Sequence, residues 1–446
     1  MQDTSETAAP AGRGVVRVAR LAGMTATMMV RAGYGRVRIA RGADRAKVRD
    51  HISRENAQTM RDTLGSLKGG AQKAGQLLST LDSLLPAGEW REAVDSLQSE
   101  GKPVGFHAME PVLVDSLGEA WRTRLVEFQE RPVAAASLGQ VYRARWAPTG
   151  AEVAVKVQYP GVDSAVRADL TGLTWALRFA ALVSPGMAAA PVARELRDRV
   201  EAELDYLLEA DSQRTFAEVF RDDDDIAVPD VVFATPRVLV TEWLEGIPLA
   251  DYARTGSQSG RDSVGTRFQR FALSAPARAG LLHADPHPGN FRVLPDDRLG
   301  VLDFGAVVPM PGGLPETFGH LIAAMRSDDP EVVLARLRKA GLVRPGVQLD
   351  TEALMDFLGP FSDPARHETF SFSPEWLKAQ FAREHDPRNP DYAVALQLTL
   401  PAEQLMTHRV WLGVVGVLSR LSATVAVGPE LRRWLPGIDD SSSEVE

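Results

Sequence analysis

Cysteine is absent from the 446 residues, and lysine is scarce, with seven against 43 arginines. The first absence excludes a disulfide framework, a thiolate nucleophile, a Cys-ligated zinc and an iron–sulfur cluster. That leaves oxygen, nitrogen and carboxylate chemistry as the expectation. The second absence makes each lysine worth weighing, because a compact ammonium does work that a guanidinium fork cannot. Lys47, Lys68, Lys73, Lys102, Lys156, Lys339 and Lys378 are the candidates, although a genome that favours Arg codons would give the same scarcity. A long uninterrupted apolar run is missing too. Segment 410–427 is 18 residues long, but Arg409 flanks it, Arg420 interrupts it, and Gly413 and Gly416 dilute it. A spanning helix needs about 20 apolar residues, and a central Arg costs several kcal/mol. The expectation is a buried helix and no transmembrane segment.

What is present suits a folded protein of two or three lobes: 44% of the chain is hydrophobic and 24% charged. The charge is unevenly spread. Residues 1–10 carry −2, residues 11–54 carry +9 and the remainder −16, for a total of −9. A basic arm ahead of an acidic body suggests an anionic partner. Val15, Val16, Leu21, Met24, Met28, Met29, Val30 and Val37 lie among its arginines. That interleaving favours an interfacial helix on an anionic membrane surface over a nucleic-acid arm, so no nucleic acid is expected. A surface helix of the body is the plainer alternative. The first ten residues are acidic and polar, unlike a secretory signal, and point to a cytoplasmic chain, at most peripheral to a membrane.

Segment 55–97 reads as helical, with Leu64, Leu67, Ala71, Ala74, Leu77 and Leu78 at three- and four-residue steps. Runs 141–145 and 153–158 flank the turn 148–150 as a hairpin. A long helix is expected over 191–221, followed by the acidic run 222–225 as a solvated turn. Strands at 226–232 and 238–241 complete a small sheet. From Thr266 onward the chain reads as mostly helical, broken by a loop and hairpin over 285–302, and 439–446 as a disordered acidic tail. A sheet lobe, a hinge and a helical lobe, in that order, give an α+β, protein-kinase-like two-lobe fold.

The strongest local signal is Asp285 and Asn290 in a D-x-x-x-x-N spacing, followed by Asp303, Phe304 and Gly305. In phosphotransferases the first Asp orients or deprotonates the attacking hydroxyl, and the Asn and the second Asp hold Mg²⁺ on the nucleotide phosphates. A rival reading takes His283, Asp285 and His287 as zinc ligands. Pro286 and Pro288 argue against the regular strand this needs. Val153, Ala154, Val155 and Lys156 match the strand whose Lys contacts phosphate and pairs with a helix Glu. Glu203 and Glu209 are the candidate partners, on flanks of a stripe formed by Leu204, Leu207 and Leu208. A Gly-rich loop is missing; Ala134, Ala135, Ala136, Ser137, Gly139 and Gln140 stand in its place. Alanine keeps a Cβ where glycine would let backbone close over phosphate, so this loop should be stiffer.

The Ala-rich loop, Lys73, Gly75 and Gln76 (K-x-G-Q), Glu203 and Asp205 (E-x-D), the 283–290 loop and Asp303 together resemble the UbiB/AarF family of atypical kinase-like proteins, in register over 64–305. The resemblance implies a helical extension carrying K-x-G-Q, laid across the cleft where a protein kinase takes its peptide. The organisation it suggests is an arm (1–54), this extension (55–125), an N-lobe (126–245), a C-lobe (246–438) and the tail (439–446). It implies that Lys73 pairs with Glu203 and Lys156 with Glu209, that Asp285 is catalytic, and that Asn290 and Asp303 hold Mg²⁺. A hinge at 240–244 would bind adenine through Glu242 and Leu244. The implied activity is that of an ATPase or small-molecule kinase using ATP or ADP, with an isoprenoid lipid or quinone precursor as partner. A phosphotransferase of the aminoglycoside or choline type, and a nucleotide-gated scaffold without turnover, are the alternatives.

Overall fold

Strand β4 shows why the chain folds as it does: Val153, Val155 and Val157 are fully buried, while Ala154 and Lys156 alternate with them on the other face. The computed structural model describes residues 104–438 with interruptions, chiefly 165–202 (Arg167 and Glu201 excepted) and 386–401 (Val394 and Leu398 excepted), and Thr27, Arg31, Tyr34, Arg38 and Glu55 before them. Lys73 and the K-x-G-Q segment, Ser137, nearly all of the basic arm and the acidic tail lie outside the described residues.

In chain order the first elements are α1 (Phe106–Leu117), α2 (Trp121–Arg124), β1 (Leu125–Val126), β2 (Ala134–Ala135), β3 (Gly139–Trp146) and β4 (Ala151–Gln158). Then follow α3 (Tyr206–Val219), β5 (Ile226–Ala227), β6 (Val231–Ala234) and β7 (Val238–Glu242). The chain divides into two compact units, one within Met1–Leu208 and Val232–Glu242, the other within Glu209–Val231 and Trp243–Glu446.

The first unit is an antiparallel sheet ordered β1-β3-β4-β7-β6, with β2 paired to β3. The expected hairpin is present: β3 and β4 pair from Gly139↔Gln158 to Trp146↔Ala151, closed by Gly150 at φ 71°. Only glycine takes that conformation cheaply. One face of the sheet packs Tyr142, Val153, Val155, Val157, Val238 and Val240 against Met109, Val112 and Leu113 of α1. Phe106, Trp121, Phe128 and Tyr142 close that core with ring centroids 5.0–6.1 Å apart.

The second unit adds β8 (Ile247–Pro248), α4 (Leu249–Thr255), α5 (Gln258–Ala279), β9 (Leu281–His283), a 3-10 turn (Pro288–Asn290), β10 (Phe291–Val293), β11 (Leu299–Val301) and β12 (Val307–Pro309). Beyond them are α6 (Glu316–Met325), α7 (Pro330–Lys339), α8 (Thr351–Arg366), β13 (Phe370–Ser371), α9 (Pro374–His385), α10 (Ala402–Leu421), β14 (Thr424–Val425) and α11 (Val427–Trp434). Its core centres on α5, capped by Ser257 at its start and by Gly280 at φ 66° at its end. Helix α10 carries the 410–421 part of the apolar stretch and buries Val410, Val414, Val417, Leu418 and Leu421 in that core. Among the described residues no helix is long and apolar enough to cross a membrane.

Three expectations need correction. The stretch 226–232 is two strands, not one: β5 pairs in parallel with β11 of the second unit, while β6 joins the first sheet. Pro229 separates them because it has no N–H to continue a ladder. The long helix is interrupted at Leu204 and Asp205, where the Asp205 carboxylate accepts the Leu207 N–H at 2.9 Å and caps a fresh helix, α3. The stripe is correspondingly displaced: Leu207 and Leu208 are 37% and 51% exposed, while Glu209 is only 5% exposed. The acidic run is no mere solvated turn. Asp223 accepts from Arg278 at 2.6 Å and from the Asp225 and Ile226 N–H groups, and Asp225 bonds Arg267 and Arg270.

Candidate functional site

The loop that follows β9 is built from both ends. β9 pairs with β12 through His283↔Val307, and the Ala284 N–H donates to the Ala306 carbonyl at 2.8 Å. His283 is buried among Phe271, Phe291 and Phe304, with ring centroids 5.5–5.7 Å away. Its Nε2 lies 2.7 Å from the Asp303 carbonyl oxygen. A carbonyl only accepts, so Nε2 carries the proton. Burial lowers the His283 pKa and keeps the ring neutral. This histidine therefore clamps the Asp285 loop to the segment that bears Asp303.

Asn290 closes the loop on itself. Its Nδ2 donates to Asp285 Oδ2 at 2.9 Å and to the Asp285 carbonyl at 3.1 Å. With the nitrogen so engaged, Oδ1 is the atom this side chain has left for a cation. The Asn290 carbonyl accepts from the Leu302 N–H at 2.9 Å, immediately before Asp303. His287 supplies a second brace. Its Nδ1 accepts the Gly289 N–H at 3.1 Å and caps the 3-10 turn that presents Asn290. Asp303 Oδ1 accepts the Gly305 N–H at 3.0 Å. A Cβ at Gly305 would lie 3.3 Å from that oxygen and 3.5 Å from Glu209 Oε2, so the turn brings Glu209 beside the Asp303 segment.

The donors present are of the kind Mg²⁺ takes. Mg²⁺ takes one or two side-chain oxygens and completes its octahedron with water and phosphate, which matches the Asp303 carboxylate and Asn290 Oδ1. Among the described residues no three His, Asp or Glu side chains gather as a cage. The zinc reading does not fit: His283 sits in an aromatic shell with Nε2 bonded to a carbonyl, and His287 has Nδ1 committed to its own turn.

In the sheet unit Lys156 lies opposite Val141 on β3 and Leu239 on β7. Its Nζ is 5.1 Å from the Tyr206 ring centroid. Ala134, also opposite Val141, shares the Lys156 face, whereas Ala135 is opposite Gln140. Ala136 and Gly139 close the hairpin turn through mutual backbone bonds of 2.9 and 3.4 Å. The described residues of the Ala-rich segment thus form a strand and a turn rather than an open loop. Gly139 is required by packing, since a Cβ there would lie 2.1 Å from the Val157 carbonyl oxygen. The Gln140 side chain is turned to the core face with Val157: it is fully buried and bonds the Val104 backbone and, at 2.7 Å, the Tyr142 hydroxyl. Glu203 is half-buried just ahead of the Asp205 cap. Glu242 ends β7 exposed, and Leu244, across the unit boundary, packs near Gly300.

Two roles escaped the sequence reading, that of Asp205 beyond its place in E-x-D and that of Arg292. Asp205 is a helix cap, which an Asp ahead of a leucine pair could have signalled. Arg292 stacks 5.5 Å from the Trp243 ring and donates to the Gly246 carbonyl at 2.9 Å, fixing the segment that follows β7. Nothing in its local sequence announces that contact.

Residues 96–336 match the ABC1 atypical kinase-like domain. Atypical kinase COQ8, mitochondrial, of Schizosaccharomyces pombe is 32% identical over 261 residues, 58% of this chain and 42% of that protein. Atypical kinase COQ8B, mitochondrial, of Rattus norvegicus is 30% identical over 288 residues, 64% and 54% of the two chains. These curated relatives are longer, and the chain spans about half their length. A solved structure, the complex of Rv3197 with erythromycin from Mycobacterium tuberculosis, superposes with a TM-score of 0.68 at 38% identity, covering 89% of this chain and 99% of that one. The matches agree with the UbiB/AarF resemblance and the kinase-like fold.

Proposed function

Because the chain belongs to the ABC1 atypical kinase-like family, we propose that it binds ATP or ADP with Mg²⁺ and acts as an ATPase or small-molecule kinase in isoprenoid-quinone or lipid metabolism. The observation that carries this reading is the frame in which His283 and Asn290 tie Asp285 to the Asp303 segment. Asn290 Oδ1 and the Asp303 carboxylate would hold Mg²⁺, which supplies neutralisation of phosphate charge when bound. Asp285 orients the attacking hydroxyl or water and receives its proton; the Asn290 amide on Oδ2 leaves Oδ1 for that role. Lys156 contributes an ammonium to the phosphates, with Glu209 as its partner. Backbone groups of Ala134, Ala135, Ala136, Ser137 and Gly139 cover the phosphates. The Gln140 side chain serves the fold, so any part it has in nucleotide binding runs through its backbone. Glu242 and Leu244 bind adenine, and a Lys73–Glu203 pair pins the K-x-G-Q helix as a gate.

The test is a Mg²⁺-dependent ATPase assay with and without anionic liposomes or an isoprenoid-quinone precursor. Stimulated turnover is expected, and Asp303→Asn should weaken Mg²⁺-nucleotide binding by at least about 100-fold. Unchanged binding would overturn the reading at its centre, and binding without turnover would favour a scaffold. Deleting residues 1–54 should reduce liposome capture, most at low salt. The solved complex of the similar chain with erythromycin favours a second reading, in which the protein also takes up a bulky apolar small molecule. Equilibrium titration with a fluorescent macrolide tests it, and no saturable binding would end it.

A further inference from the structure

Helix α10 holds two glycines that look alike in the sequence and differ completely in the fold. A Cβ on Gly416 would meet nothing within 4 Å, whereas one on Gly413 would lie 2.3 Å from Pro286 Cγ, 3.4 Å from its Cδ and 3.5 Å from its Cβ. Carbon atoms settle about 3.5–4.0 Å apart, so any side chain at position 413 must push the ring or the helix away by roughly 1 Å or more. Neither yields easily. The backbone of α10 is anchored through Val410, Val414, Val417 and Leu418 in the core, and a proline ring cannot swing aside as a flexible side chain would.

Pro286 occupies a sensitive place. Its ring closes onto the nitrogen of the Asp285–Pro286 peptide, so whatever displacement a change of pucker at Cγ does not absorb passes to that peptide plane and with it to the Asp285 carbonyl. That carbonyl and the Asp285 carboxylate are the two acceptors of Asn290 Nδ2. Moving them releases the amide that sets the direction of Asn290 Oδ1. On the other side of Pro286, His287 caps the turn that carries Asn290. A glycine is a poor helix former, and at position 413 the close approach of the loop gives it a reason to be there.

We infer that Gly413 is a positioning residue for the candidate cation and nucleotide site: its missing Cβ seats Pro286 against α10 and so fixes Asp285 and Asn290 in register. This rests on the Mg²⁺-nucleotide reading above. It extends that site to a helix more than 100 residues further along the chain.

The test compares Gly413→Ala, Gly416→Ala and the double variant Gly413→Ala/Pro286→Ala in the full chain. Three measurements apply: Mn²⁺ and a fluorescent ADP analogue titrated to equilibrium, thermal unfolding, and amide exchange over 284–292. Gly416→Ala should keep wild-type affinity and an equal or higher Tm. Gly413→Ala should unfold cooperatively yet bind Mn²⁺ and nucleotide at least about tenfold more weakly, with faster exchange in the loop. Pro286→Ala removes Cγ and Cδ but leaves the Cβ at 3.5 Å, an ordinary contact, so the double variant should recover most of the affinity and protection. Wild-type affinity and exchange in Gly413→Ala would overturn the inference. So would a loss that Pro286→Ala fails to relieve, because the damage would then lie in general packing. Should the wild-type chain bind no nucleotide at all, the proposed function fails, while the exchange arm still decides whether Gly413 seats the loop.

Discussion

Two short acidic connections lie in the helical unit, the 222–225 turn and the 285–290 loop, and their carboxylates live differently. In the turn, Asp223 meets Arg278, whose guanidinium also lies 4.0 Å from the Phe220 ring centroid, and Asp225 meets Arg267 and Arg270. Arg270 in turn bonds Glu430 at 2.7 Å, so the turn fastens α5 and α11. In the loop, Asp285 is met by an amide, and among the described residues no cation lies within ion-pair distance of it. Matched charge holds a fold together. A carboxylate met by a neutral amide is not neutralised by it and can still attract a cation.

Breaking this contrast should give effects of different kinds as well as sizes. The largest is expected at Asp285→Asn: turnover in the Mg²⁺-ATPase assay should fall about 10²–10⁴-fold, while Tm stays level or rises, since among the described residues no ion pair is lost. A matching fall in Tm would show that Asp285 is structural after all. Next comes Asp223→Asn, which should cost about 2–3 kcal/mol in urea unfolding by breaking a half-buried pair, with nucleotide affinity unchanged. This one also carries a pH signature. Burial pushes the Asp223 carboxyl up, but the Arg278 guanidinium and the Asp225 and Ile226 N–H groups outweigh it and hold the pKa below the usual range. Its stabilisation is therefore complete above the unfolded-state value of about 3.9 and is lost as pH falls through the lower folded value. The acid limb of stability against pH should be shallower in Asp223→Asn than in the wild type.

Smaller effects sharpen the picture. His287→Ala removes the cap on the 3-10 turn and should weaken Mg²⁺-nucleotide binding several-fold, about 1 kcal/mol. His287→Asn, which can still accept from the Gly289 N–H, should restore it in the same titration. Smallest are Asp222→Asn and Asp224→Asn. Both side chains are exposed in the turn that Asp223 and Asp225 anchor, so stability should move by no more than about 0.5 kcal/mol. A loss as large as that of Asp223 would mean the turn acts through its total charge and not through particular pairs.

The site was legible where a residue's role is written in local spacing. Asp285, Asn290 and Asp303 could be found because a loop and a hairpin hold them a short, fixed distance apart along the chain. The hairpin carrying Lys156 was legible for the same reason, a two-residue period around a turn with Gly150. Long-range pairing was not. The acidic run looked like a solvated turn because its three arginine partners lie 42–55 residues away. Gln140 read as part of a phosphate loop because nothing nearby shows that its strand parity turns it toward Val157 and the core. The E-x-D stretch read as one continuous helix because a helical period runs through it, and only the Asp205 cap interrupts it.

Of the two scarcities of the sequence, no cysteine and seven lysines, the first determined by itself that no thiolate would serve the chemistry. The second drew attention to Lys156, because residue type and local order survive without coordinates. Tertiary structure decided that Asp223 and Asp225 are matched by arginine while Asp285 meets an amide, and which of the two α10 glycines touches the Asp285 loop. Those outcomes depend on distances between atoms far apart in the chain, and chain order does not encode distance.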